Sequence, residues 1–194
     1  MRNILNLISL LIAFTLMSCS TVNHTTKPVD LVLDSVVPPN TDNGSHKHFL
    51  VISKFTGFSK TTEEKLKKAV LKVDEVFNSQ CFEDFMVGRP KLHSTNNRTP
   101  KEVVSHLRTS QATVELIYYY KRWSKVAGYT YPSVDWIKLN GKYHTGTTVC
   151  SEASNLGHEG SHKVGYGHSY KSNVNRPYSV PYSINAAMEV CCVN

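Results

Sequence analysis

Between residues 48 and 140, short apolar runs alternate with segments in which apolar side chains return every third or fourth position. Residues 48–55 form a compact apolar run suited to a first strand, and Gly57 closes it. Thr61 and Thr62 ahead of Glu64 mark a helix start, after which Leu66, Ala69, Val70, Val73, Val76 and Phe77 recur at helical spacing. This predicts a long helix behind a sheet. Residues 81–92 read as a second strand, broken at Gly88 and Pro90. Thr99-Pro100-Lys101-Glu102 supplies a cap, a first-turn proline and an acidic third position for a short helix through Leu107. Residues 112–123 are rich in strand formers, with Val114, Leu116, Tyr118 and Tyr120 on one face. Two further short strands, 127–132 and 134–140, are divided by a turn at Pro132-Ser133; a connection from Gly141 through Cys150 then leads by Ser151-Glu152 into another helix. The predicted class is α+β: a twisted mixed sheet of about four to five strands backed by a long helix.

Neither period governs the first 47 residues. Arg2 and Asn3, the apolar stretch 4–17 and Leu16-Met17-Ser18-Cys19 have the order of an export signal, and an apolar run of about fourteen residues is short for a bilayer span. The Leu-x-Ser-Cys ending resembles a bacterial lipobox. That resemblance implies lipid attachment at Cys19 and a place on the extracytoplasmic side of the envelope, with Ser20 favouring the outer membrane. Residues 20–47, rich in Thr, Asn, Ser and Pro, read as a tether. The expected organisation is 1–18 signal peptide, 19–47 tether and 48–194 folded domain.

An exported domain changes the meaning of the cysteines. With Cys19 set aside, Cys81, Cys150, Cys191 and Cys192 remain, an even number for an oxidising compartment. Neighbouring Cα atoms about 3.8 Å apart are too close for a relaxed disulfide, so Cys81 and Cys150 are each expected to take one of the last two. The length of 194 residues, 40% of them hydrophobic, fits one globular domain. The net charge of +7 is spread too evenly to define a nucleic-acid surface, and the lysines around the first helix read as its solvated face. No nucleic-acid partner is expected, and a monomer is.

The candidate chemistry is concentrated in His158-Glu159-Gly160-Ser161-His162-Lys163-Val164-Gly165-Tyr166-Gly167-His168. On a helix, His158 and His162 stand at i and i+4, one turn apart on one face, where two imidazoles can reach a single ion. Glu159 lies about 100° round the helix, able to reach a water on that ion without being a ligand. A residue ten positions on cannot reach the ion from a continuing helix, so the chain must turn back. Gly165 is placed to do this, and the turn would bring His168 beneath the first two histidines. Three neutral imidazoles leave a tetrahedral ion one open position, as catalytic zinc requires. A bare H-E-x-x-H arises by chance in roughly 2% of chains of this composition, and the five-position pattern in roughly 0.005%.

With Gly165, with Ser169 after the third histidine and with the pair Ala187-Met188, this pattern is similar to that of the metzincin metallopeptidases, closest to their matrixin-like branch. Residues 127–132 look like the edge strand of that family, and 137–140 like the strand beside it. The resemblance implies one catalytic Zn2+ held by His158, His162 and His168, with Glu159 as general base. It also implies a turn through Met188 beneath the metal, inside a short irregular C-terminal subdomain. The substrate would be a protein or peptide in extended form, paired along Gly128, Tyr129, Thr130 and Tyr131, with Tyr178, Pro181 and Tyr182 walling a pocket beyond the cut bond. No structural calcium is expected. The rival reading is a non-catalytic envelope lipoprotein that uses the three-histidine site to bind a metal or a partner.

Overall fold

The computed structural model describes residues 48–169 and 171–193; the signal peptide, the tether and Cys19 lie outside the described residues. Chain order is β1 (Leu50–Thr56), α1 (Lys60–Phe77), α2 (Gln80–Gly88), α3 (Pro100–Thr109), β2 (Ala112–Tyr119), β3 (Gly128–Tyr129), β4 (Trp136–Asn140), α4 (Val149–Lys163) and α5 (Val180–Cys191). Short 3-10 turns at Gly141–Tyr143 and Arg176–Tyr178 precede the last two helices. The four strands form one mixed sheet in the order β1-β2-β4-β3. β1, β2 and β4 run parallel, while β3 pairs antiparallel with β4 and leaves its other side as an edge.

Ser59, rather than the expected Thr61 or Thr62, caps α1, and the buried face of the helix is Leu66, Ala69, Val70, Val73, Val76 and Phe77, as the periodicity predicts. Thr99 and Glu102 form a reciprocal capping box on α3. The core is filled by this face of α1 together with Val114, Leu116, Ile137, Leu139, Leu156 and Ile184. Cys81 pairs with Cys191 and Cys150 with Cys192, each with Cα atoms 5.7 Å apart, so adjacent cysteines tie α5 to two different helices.

Two expectations are corrected. The segment 81–92 contributes no strand: its first part is helix α2, and Gly88 ends it. Ser79 caps this helix by accepting the N–H of Phe82 at 3.1 Å, Gln80 donates to Asp84 one turn on, and Phe82 and Met86, four apart, are both fully buried. Two phenylalanines and a valine give the segment the composition of a strand, but its buried positions keep helical spacing. The C-terminal region likewise contains no turn at Met188. Pro181 opens α5, and Val180, Ile184, Ala187 and Met188 form its buried stripe. Met188 is therefore a core side chain, packed toward Gly157 of α4.

Candidate metal centre

Helix α4 begins two residues earlier than the sequence implies, with Thr148 accepting the N–H of Ser151 at 3.1 Å. It is buried through most of its length, and two small residues make this feasible. A Cβ on Gly160 would come within 2.7 Å of the Phe49 ring, and one on Gly157 within 3.0 Å of Ile184. These glycines let β1 and α5 close directly onto the helix that carries His158, Glu159 and His162.

The end of α4 is built as the motif requires. Gly165 has φ +95°, its N–H donates to the carbonyl of His162 at 3.3 Å, and the Tyr166 N–H donates to that of Ser161 at 3.0 Å. These two bonds are the Schellman arrangement that terminates a helix at a left-handed residue. Tyr166 is then buried with its hydroxyl 3.0 Å from His106 Nδ1, and Asn96 Nδ2 donates to the Gly165 carbonyl at 2.8 Å. The chain doubles back, and His168 arrives beside the helix.

His158, His162 and His168 gather so that one ring nitrogen of each lies within 4.8 Å of the others. His158 Nε2 and His168 Nε2 are 3.2 Å apart. Two nitrogens bound tetrahedrally at the usual 2.0–2.1 Å to one ion would stand about 3.3–3.4 Å apart, so this spacing fits a shared ion. The tautomers agree. His162 Nδ1 lies 2.7 Å from the Tyr166 carbonyl and His168 Nδ1 3.2 Å from that of Ser169. A carbonyl can only accept, so the protons sit on Nδ1 and each Nε2 presents a lone pair. Burial lowers the pKa of all three rings. For His158 it acts with the neighbouring His162 and His168, against a partial offset from the Pro181 backbone, and takes the value down to about 3. Neutral imidazoles are the form a metal binds.

Glu159 is 5% exposed, and burial pushes its carboxyl up to about 8, only partly offset by the Thr130 backbone. It shares with the three histidines a cavity of about 510 Å³. Gly128, Tyr129 and Thr130 line that cavity from the sheet edge, and Tyr182 from α5. The Tyr182 ring centre is 4.9 Å from that of His158 and 5.0 Å from that of His168, holding both rings in place. Lys163, the last residue of α4, donates to the carbonyls of Tyr131 and Val134, which fastens the β3–β4 turn beside the cavity.

Three expected pocket residues are not among the lining. The Tyr131 ring packs on Tyr129 and Trp136 and is otherwise exposed. Tyr178 turns to Arg89, whose guanidinium lies 5.4 Å from its ring. Pro181 is buried in the first turn of α5. In their place the cavity has Asn155, Asn185, Lys125 and Arg176, which the sequence reading missed. Asn155 was within reach of it, since three positions before His158 is the same helix face. Arg176 and Asn185 carry no local signal.

No family model, no curated protein and no solved structure matches this chain.

Proposed function

We propose that this protein is a zinc-dependent endopeptidase of metzincin type. The observation that carries the reading is the convergence of three neutral imidazoles, His162 and His168 in the ligand tautomer and His158 Nε2 3.2 Å from His168 Nε2, with a buried carboxyl in one cavity under an open sheet edge. His158, His162 and His168 would hold the ion. A zinc ion held there would supply Lewis-acid chemistry, making water acidic near neutral pH and drawing electrons from a carbonyl. Glu159 takes the proton as water attacks the peptide carbonyl and returns it to the departing nitrogen. An extended substrate adds to the free side of β3, whose backbone fixes its register, while the cavity walls select side chains. Tyr182 packs against the rings of His158 and His168 and would help to orient them toward a shared ion.

Two disulfides favour an extracytoplasmic location. No described helix is long and apolar enough to cross a membrane. Attachment through a lipid on Cys19 completes the proposal. The metzincin assignment rests on the motif and on the antiparallel edge strand; Met188, inside α5, lends it nothing.

The test pairs metal content with turnover. Wild-type protein and Glu159→Gln should both bind about one zinc per chain, and only the wild type should cleave an unstructured protein such as casein, with the variant down at least about a hundredfold. Equal activity in the two would remove Glu159 from the reaction. Stoichiometric zinc without cleavage in the wild type would favour the binding-only lipoprotein.

A further inference from the structure

The cavity holds a cation that has no anionic partner among the described residues. Arg176 opens the 3-10 turn before α5, and its guanidinium carbon lies 4.9 Å from the centre of the Tyr182 ring. The same ring also contacts His158 and His168, with ring centres 4.9 and 5.0 Å away. Among the described residues no carboxylate stands within ion-pairing distance of Arg176 and its guanidinium makes no hydrogen bond, although its Nε is buried. Arg108 shows what the same fold does with a structural arginine: its guanidinium donates to the Phe77 and Ser79 carbonyls and to Glu83, at 2.7 to 3.0 Å. A buried donor without an acceptor is costly, so its place at Arg176 points to an acceptor that arrives with a ligand.

The rest of the wall has the same preference. Glu159 is the one carboxyl among the described residues lining the cavity, and Lys125 adds a second cation. Asn185 spends its Oδ1 on Ser154, which leaves its amide N–H groups as further donors. Arg176 lines the same cavity as Glu159 and the three histidines.

We propose that Arg176, stacked on Tyr182, selects substrates with a carboxylate on the first or second residue beyond the cut bond, from an acidic side chain or from a free chain terminus. An extended chain advances about 3.5 Å per residue, so a carboxylate one or two residues beyond the cut bond falls on the length scale of the contacts that link the imidazoles to Tyr182 and Tyr182 to Arg176. The planar fork of arginine meets a carboxylate with two parallel hydrogen bonds. This specificity rests on the hydrolytic reading above, and the experiment separates the two.

The zinc-loaded protein is given two peptide libraries, one blocked at both ends and one with free carboxyl termini, and the cut positions are read by mass spectrometry. Asp and Glu should be enriched at least about tenfold over Gln or Lys just beyond the cut in the blocked library if side chains are the source. Cuts should cluster near the chain end in the free library if the terminus is. Arg176→Gln should erase the enrichment, and Arg176→Glu should turn it toward Lys and Arg. In parallel, acetyl-Ala-Glu-amide, acetyl-Ala-Ala with a free carboxylate, and the neutral acetyl-Ala-Gln-amide are titrated calorimetrically into Glu159→Gln protein, with and without zinc. Tighter binding of a carboxylate that disappears in Arg176→Gln supports the assignment even if nothing is cleaved. Cleavage indifferent to charge, or a carboxylate preference that survives Arg176→Gln in both states, overturns it and leaves the peptidase reading standing.

Discussion

A carboxyl 5% exposed beside three neutral rings is held protonated up to about pH 8 when no metal shares its cavity. The sign of the consequence follows from linkage. The unfolded chain gives up this proton near the ordinary value of 4.5, the folded chain only near 8, so raising the pH across that window destabilises the metal-free protein. Metal-free Glu159→Gln should therefore be more stable than metal-free wild type at pH 8 by on the order of a few kcal/mol, and unfold at a higher temperature, with the gap nearly closed at pH 4.5. Thermal melts of the two proteins at both pH values check it, and a gap independent of pH would contradict it. The four residues of the proposed centre were legible because their geometry is local: two positions on one helical turn, a carboxyl beside them and a glycine that reverses the chain. Arg176 and Asn185 were not, because only the docking of α5 against α4 brings them to the cavity. Tyr178 and Pro181 were misplaced for the same reason, since their directions follow from a helix where an irregular segment was expected.

Among the elements, α4 depends on glycines that no helical propensity would favour. Alanine normally stabilises a helix by about 1 kcal/mol over glycine. At Gly160 that gain is opposed by the Phe49 ring 2.7 Å from the new methyl group, and overpacking costs about 1–3 kcal/mol. At Gly88 in α2 nothing lies within 4 Å. Gly160→Ala should thus lower the urea midpoint while Gly88→Ala leaves it unchanged or raises it, and the same sign at both sites would refute this packing account. The sequence announced α1 through its unbroken apolar stripe and α3 through Thr99, Pro100 and Glu102, while the cap of α1 is Ser59 rather than the expected Thr61 or Thr62. It misled at α2, where Phe82, Phe85 and Val87 carry strand preference while the burial of Phe82 and Met86 requires a helix. Local composition and tertiary burial disagreed there, and burial prevailed.

At the scale of the molecule, the loop after β4, the long helix α1 and the histidine-bearing helix α4 meet at one buried carboxylate. Glu152 is 2% exposed; His144 Nδ1 lies 2.7 Å from it, Thr147 Oγ1 2.5 Å and Lys65 Nζ 3.2 Å. Burial pushes this carboxyl up, but the hydrogen bonds from His144 and Thr147, with Lys65 nearby, outweigh it and hold the group below its ordinary value of 4.5. A depressed folded pKa means stabilisation that is complete above pH 4.5 and is lost as the pH falls through the lower folded value. Glu152→Gln should cost about 3 kcal/mol at pH 7, and the difference from wild type should shrink progressively below pH 4.5 in denaturant titrations. A difference that stays constant into acid would remove the carboxylate's charge from the account. The cysteines act on the same body from its other end, where Cys191 and Cys192 bind α5, and with it Tyr182, to α2 and α4. That pairing was readable up to the choice of partner, because adjacency forbids one bond and distance alone decides between the other two.

The central claim is that three imidazoles share one ion and leave it an open position. X-ray absorption at the zinc edge of the one-to-one complex reads this directly. The account predicts three imidazole nitrogens at about 2.0–2.1 Å and one lighter oxygen, with His168→Ala reducing the imidazole count to two. A spectrum with two imidazoles in the wild type, or one in which Glu159 completes a closed set of four protein ligands, would contradict it.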